Sequence, residues 1–153
     1  MRGLTQRIEV TLDTLLESVD LAEDITLRVA EIVGFDEEQR YRIGMSVREA
    51  VINAYEYGNV HDRSRHIYLF FELLSAELVI RVRDQGAGFR LEDVPDPLSE
   101  ENLLKTSGRG LFLIRAFMDQ LEVTYAPAGG AEVIMTKRLP PAQSQPSAGA
   151  SEG

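Results

Sequence analysis

Glu49 and Asn53, four positions apart in EAVINAYEYGN (Glu49 to Asn59), together with Asp84 at the head of DQGAGF (Asp84 to Phe89), are the residues whose types and spacing can do chemistry. Positions i and i+4 share one face of a helix, so a carboxylate and a carboxamide there can act on the same ligand. The carboxylate can take a proton from an attacking hydroxyl. The carboxamide oxygen suits magnesium, which prefers hard oxygens and fills the rest of its shell with water and ligand phosphates. Alone, the pair reads more readily as two solvated helix residues. Asp84 continues the parity of Leu78, Ile80 and Val82, which puts an acid where the pattern assigns the core face. A buried carboxylate requires a donor; the amino group of an adenine would supply one, with Gly86 and Gly88 leaving room for the base. A turn cap after a strand is the competing reading. Finally, Gly108-Arg109-Gly110 in GRGLFL leads through Leu111 into an apolar helix, an arrangement that offers free N–H groups to an anion, with Lys105 and Arg109 as nearby cations. A flexible hinge before an ordinary helix competes with it.

The elements that must position these groups follow from periodicity. Arg7 to Leu12 alternates as a short edge strand. Leu21, Ile25, Val29, Ile32 and Val33 recur at helical spacing, and Gly34 stands where a C-terminal cap belongs. Asp36 and Gln39 form a capping box that opens a second helix with Ile43, Val47, Ala50, Val51 and Ala54 as its apolar stripe, ending near Gly58. Ile67, Leu69, Phe71 and Leu73, then Leu78, Ile80 and Val82, make a hairpin about Ser75-Ala76. From Gln85 to Ser107 periodicity fails over a stretch longer than ordinary connections, as expected of a functional loop. Helical spacing returns from Gly108 to Met118, and Leu121 to Tyr125 with Glu132 to Leu139 gives a last hairpin. The order β-α-α-β-β-loop-α-β-β predicts an α+β two-layer sandwich, a mixed, mostly antiparallel sheet with three main helices on one face. Residues 1–139 are expected to form one domain, and 140–153, which end in PAQSQPSAGASEG, a disordered tail.

Composition narrows the function. A chain of 153 residues with 44% apolar content suffices for one core. Cysteine is absent, which removes disulfides, thiolate metal sites and thiol nucleophiles. No signal core or membrane-length apolar run occurs, so a cytoplasmic protein without a membrane partner is expected. The net charge of −9 argues against direct nucleic-acid binding and for basic or mixed protein surfaces. His61 and His66 lie in a polar connector, and neither Ser46 nor Ser107 has an evident triad partner.

In this order and spacing the three stretches resemble the N, G1 and G2 boxes of the GHKL ATPase superfamily, whose nucleotide-binding fold is the Bergerat fold; the resemblance covers nearly all of Arg7 to Leu139. Glu-x-x-x-Asn resembles the gyrase, mismatch-repair and serine-kinase branches more than the histidine kinases. The chain is expected to lack the transducer domains of the ATPase machines, and its histidines follow the N box, unlike a phosphoacceptor helix. What remains is similar to the small anti-sigma factor serine/threonine kinases of the RsbW type, whose G2 helix GRGLFLIRAFMDQLEV resembles most closely. That resemblance implies Glu49 as general base, Asn53 as magnesium ligand, and Asp84 as the adenine-recognising acid. It also implies Gly86 and Gly88 at the base, Gly108 and Gly110 at the phosphates, and an ATP lid over Gln85 to Ser107. The implied cofactors are ATP and Mg2+. The implied partners are a sigma factor to sequester, an anti-anti-sigma (STAS-type) protein to phosphorylate on serine, and a second copy in a homodimer. Gly130-Ala131 departs from the Gly-Thr common in the superfamily, and Thr106 stands where some relatives carry Arg. The alternative is a nucleotide-dependent regulatory binding module without phosphotransfer.

Overall fold

Alternation along β1 (Gln6–Asp13) turns Leu12 into the core and leaves Arg7 and Glu9 exposed, the pattern of a strand with one covered face. The computed structural model describes residues 6–86, 108–126 and 129–140. After β1 come α1 (Glu17–Val33), α2 (Glu37–Asn53), a π turn (Ala54–Gly58), β2 (His66–Leu73), β3 (Glu77–Arg83), α3 (Gly108–Phe117), β4 (Gln120–Tyr125) and β5 (Ala131–Arg138). The strands form one sheet in the order β1-β2-β3-β5-β4, with β1 at an edge as expected. Every pairing among the described strands is antiparallel, so the parallel component admitted by the word "mixed" is not found among them. Ile43, Val47 and Val51 of α2 meet Ile67, Leu69 and Phe71 of β2, Ile80 of β3 and Met135 of β5 in the core. No helix among the described residues is long and apolar enough to cross a membrane.

The buried face of α1 is not the one hydrophobicity suggests. Leu21 and Ile32 are 50% and 66% exposed, while Ser18, Val19, Ala22, Thr26 and Ala30 are buried. Ile25, Val29 and Val33 pack at the margin of the core. Beside this face, Leu27 seats over Gly44 of α2, where an added Cβ would stand 2.8 Å from Leu27 Cδ2. The two buried hydroxyls of α1 are satisfied locally, Thr26 donating to the Ala22 carbonyl at 2.7 Å and Ser18 to that of Asp13 at 2.7 Å. Arg48 of α2 then ties the outer side of the pair to Asp20 at 2.6 Å and Glu23 at 2.9 Å.

The helix ends follow their local chemistry. Gly34 closes α1 in the left-handed region, its N–H shared between the Ala30 and Glu31 carbonyls. Asp36 caps α2, accepting from the Gln39 N–H at 2.9 Å. The reciprocal half of the capping box is not made: Gln39 Oε1 is buried without a partner among the described residues. At its other end α2 widens into the π turn, in which the Asn59 N–H reaches the Ala54 carbonyl at 2.7 Å. Val60 and His61 then turn the chain with φ of 53° and 61°, a conformation that costs a β-branched residue on the order of 1–3 kcal/mol.

The displaced α1 stripe is testable by equilibrium denaturation. Ile32→Ser should change stability by no more than about 0.5 kcal/mol, whereas Ala22→Leu should overpack the core and cost about 1–3 kcal/mol. The reverse ranking would mean that the large residues face inward.

Candidate functional site

The apolar stripe of α2 faces the sheet and leaves Glu49 and Asn53, both half-buried, on a flank where α3 begins. Leu111, Ile114 and Met118 anchor α3 in the core, and this fixes its N-terminus against α2. The approach is close: a Cβ at Gly110 would lie 2.9 Å from Glu49 Oε1 and 3.4 Å from Asn53 Nδ2. A carboxylate, a carboxamide and the start of a helix, whose first N–H groups have no acceptor within the helix, therefore converge.

Asp84 follows directly on β3 and is 8% exposed, as its parity predicts. Its backbone N–H donates to the Ala131 carbonyl at 3.0 Å. Oδ1 accepts from the N–H groups of Gly86 and Ala131, each at 3.0 Å. Three glycines make the space. A Cβ at Gly58 would stand 2.2 Å from Oδ2, one at Gly86 would stand 2.5 Å from the Gly58 carbonyl oxygen, and one at Gly130 would stand 2.5 Å from the Asp84 carbonyl oxygen. Gly130 also has φ of 94°, which glycine adopts without penalty. Burial pushes the Asp84 carboxyl above its ordinary value, opposed by the two N–H donors and by the positive charge of Arg65. The Ala131 contacts use backbone atoms alone, so the missing hydroxyl of Gly-Thr leaves the holding of Asp84 untouched.

A cavity of about 370 Å³ is lined by Asn53 from the first cluster and by Asp84 and Gly86 from the second. Ala50, Leu111, Val82 and Val133 give it apolar walls, and Tyr57, Val60 and Tyr125 also line it. Size and lining match a pocket for a flat heteroaromatic group with a few polar anchors. Among the described residues no three acidic or histidine side chains cluster to hold a metal. The donor set fits magnesium in one form, a carboxamide from Asn53 with the remaining oxygens from phosphate and water.

The expected residues thus fall into distinct groups. Glu49, Asn53 and Gly110 are in contact, Asp84, Gly86 and Leu111 share the cavity, and Gly108 opens α3. Gly86 is required first by the neighbouring backbone at Gly58, before any base is considered. The Arg109 side chain, Gly88, Lys105 and most of the expected lid lie outside the described residues. Gly58 and Asn59 were missed as site residues, the sequence marking them only as a helix stop, and Gly130 entered only through the Gly130-Ala131 departure and a hairpin turn.

The sequence and the fold each have known counterparts. Residues 12–137 match the family described as the histidine kinase-like ATPase domain. An anti-sigma F factor of Oceanobacillus iheyensis is 36% identical over 95 residues, 61% of this chain and 65% of that protein. An anti-sigma F factor of Clostridium perfringens is 34% identical over 104 residues, 67% of this chain and 74% of the relative. The serine-protein kinase RsbW of Listeria innocua is 26% identical over 145 residues, 91% of each chain. Among solved structures, the RsbU and RsbW domains of a Mycobacterium tuberculosis protein superpose with a TM-score of 0.65 at 20% identity, over 88% of this chain and 33% of that one. The catalytic domain of the histidine kinase ThkA gives a TM-score of 0.55 at 16% identity, over 90% and 99%. These two likenesses speak to the fold.

The raised carboxyl of Asp84 has a pH signature. The native state holds this proton more tightly than the unfolded chain, so stability falls as pH rises from the unfolded value of 3.8 through the higher native one. Asp84→Asn removes that loss, and its thermal midpoint at pH 7 should equal or exceed that of the wild type, the advantage shrinking as the pH is lowered into the window. A variant markedly less stable at pH 7 would show that the carboxylate is a net structural stabiliser.

Proposed function

The chain belongs to the histidine kinase-like ATPase domain family, and from that premise we propose that it is an ATP-dependent serine/threonine protein kinase acting as an anti-sigma regulatory factor. It phosphorylates an anti-anti-sigma protein of the STAS type and sequesters a sigma factor, as a cytoplasmic homodimer. The observation that carries this reading is the approach of Gly110 to both Glu49 and Asn53, together with a cavity lined by Asn53 and by the buried acid Asp84. The relatives named as anti-sigma factors and as a serine-protein kinase support the partners and the reaction.

In this mechanism the adenine amino group donates to Asp84, whose Oδ1 already accepts from Gly86 and Ala131 and whose Oδ2 stands above Gly58. The apolar walls exclude water around the base. The phosphates extend toward α3, whose first N–H groups stabilise their charge, with Arg109 and Lys105 as further cations. Asn53 would hold magnesium together with phosphate oxygens, and the ion would supply positive charge beside the transferred group. Glu49 accepts the proton of the incoming serine hydroxyl as its oxygen bonds to the γ-phosphorus. The bond from that phosphorus to the β,γ-bridging oxygen breaks, and ADP leaves with the electron pair. Such a transfer depends chiefly on positioning and charge, and rigid helix ends supply both.

One observation favours a second reading, a regulatory module that binds nucleotide without transferring phosphate. Ala131 brings no hydroxyl beside Asp84, leaving the base one contact fewer than a threonine would offer. Single-turnover transfer from labelled ATP to a co-purified partner separates the two, because a binding module gives none.

Glu49→Gln should leave ATP and partner affinity nearly unchanged while slowing transfer about 10²- to 10⁴-fold; transfer at the wild-type rate would remove Glu49 from the chemistry. Asn53→Ala should weaken ATP binding on the order of tenfold in magnesium and much less in EDTA, since the lost contact reaches the phosphates through the ion. Equal affinities of the two proteins in magnesium, measured by titration calorimetry, would refute the assignment of Asn53.

A further inference from the structure

Asn59 has no part in the proposed chemistry, yet it is completely buried and makes three of the four side-chain hydrogen bonds open to a carboxamide. Its Oδ1 accepts from the Gln85 N–H at 2.7 Å. Its Nδ2 donates to Thr14 Oγ1 at 2.8 Å and to the His66 carbonyl at 3.0 Å. Thr14, itself buried, passes its hydroxyl proton on to the Arg65 carbonyl at 2.7 Å. One side chain thereby joins the exit of β1, the entry of β2 and the residue after Asp84.

The geometry around it is specific to the cavity. Gly58 lies beneath the Asp84 carboxylate and its carbonyl packs against Gly86, while its neighbour Asn59 holds the N–H of the residue between them. The two residues grip the three-residue strip Asp84-Gln85-Gly86 at successive points. The π turn sets up this grip. One additional residue in the turn shifts all that follows by about 100° relative to an α-helical continuation, and the Asn59 side chain then points at the strand ends. Wide turns of this kind recur where a helix end serves a site.

We propose that Asn59 is a positioning residue that sets base selectivity by fixing the Asp84-Gln85-Gly86 strip through the Gln85 N–H. Rotation of the strip would carry the carboxylate off the line on which an adenine amino group donates, and the selectivity would fall with it, because discrimination by a buried acceptor depends on its placement. The phosphate end, built from α2 and α3, does not pass through this contact. Loss of Asn59 therefore affects recognition of the base and spares the magnesium-dependent share of the binding energy. This inference rests on reading Asp84 as the base-recognising acid.

The test compares ATP and GTP affinities, in magnesium and at a temperature where each variant is folded by circular dichroism. Asn59→Ala should lower the ATP-over-GTP preference about tenfold and leave the ratio of affinities with and without magnesium unchanged. Thr14→Val removes a partner of Nδ2 and spares the Gln85 contact, so it should lower the unfolding midpoint and leave base preference intact. In an Asp84→Asn background, Asn59→Ala should produce no further change in preference. If Asn59→Ala does not fold, Gln85→Pro deletes the same donor from the other side and should reproduce the loss. An unchanged preference in a folded Asn59→Ala or Gln85→Pro protein would overturn the proposal. So would a full additional effect in the Asp84→Asn background. Failure of Asp84→Asn alone to alter preference would instead refute the underlying reading of the pocket.

Discussion

A carboxylate kept out of water needs donors and room, and in this fold both are supplied by backbone. Asp84 is held by the N–H groups of Gly86 and Ala131, and the space around it exists because Gly58, Gly86 and Gly130 have no Cβ. Each of those contacts depends on a larger structural fact. The register that pairs Arg83 with Glu132 brings Ala131 opposite Asp84, and the π turn brings Gly58 beneath it. An acid in this position is tolerated only when sheet register and helix end are both correct, since the penalty for an unpaired buried charge would be several kcal/mol.

Helix α2 transmits the constraint from one end of the cavity to the other. Its apolar face is locked to β2 and β3 through residues that are fully buried, and its flank carries Glu49 and Asn53 to the start of α3. Rotation of α2 would disturb all of these at once. The close contact with α1, the Arg48 bridges and the Asp36 cap all act against such a rotation. Polar groups held by packing on rigid elements suit a reaction that depends on placement more than on reactive side chains.

Much of this was legible in the residues because periodicity reports burial of strands directly. The parity of Leu78, Ile80 and Val82 was enough to place Asp84 inside, and Gly34 and Asp36 marked true helix ends. The α1 face was legible only in part: Leu21 and Ile32 share the helical spacing of Ile25, Val29 and Val33 but stay exposed, while Ala22, Thr26 and Ala30 are buried, and small buried residues have no hydrophobic signature in one helix read alone. Asn59 was equally silent. Its three partners come from segments up to 45 residues away, and an asparagine after a glycine looks like an ordinary helix stop. Local chemistry was readable, whereas convergence of distant backbone was not.

The order of strands also has a temporal side. Asp84 sits at the end of a hairpin formed by neighbouring segments, but its N–H and its Oδ1 are both satisfied by Ala131, 47 positions later. Between them lies the whole of the connecting loop and α3, a closure with a substantial entropic cost before any contact is gained. During synthesis, the first three strands and the first two helices leave the ribosome well before residue 131. A nascent chain at that stage has its scaffold and an unfinished acid. The C-terminal hairpin is then the step that completes the surroundings of Asp84, and truncation before it would leave a chain with its first three strands and first two helices but without the Ala131 partner of that acid.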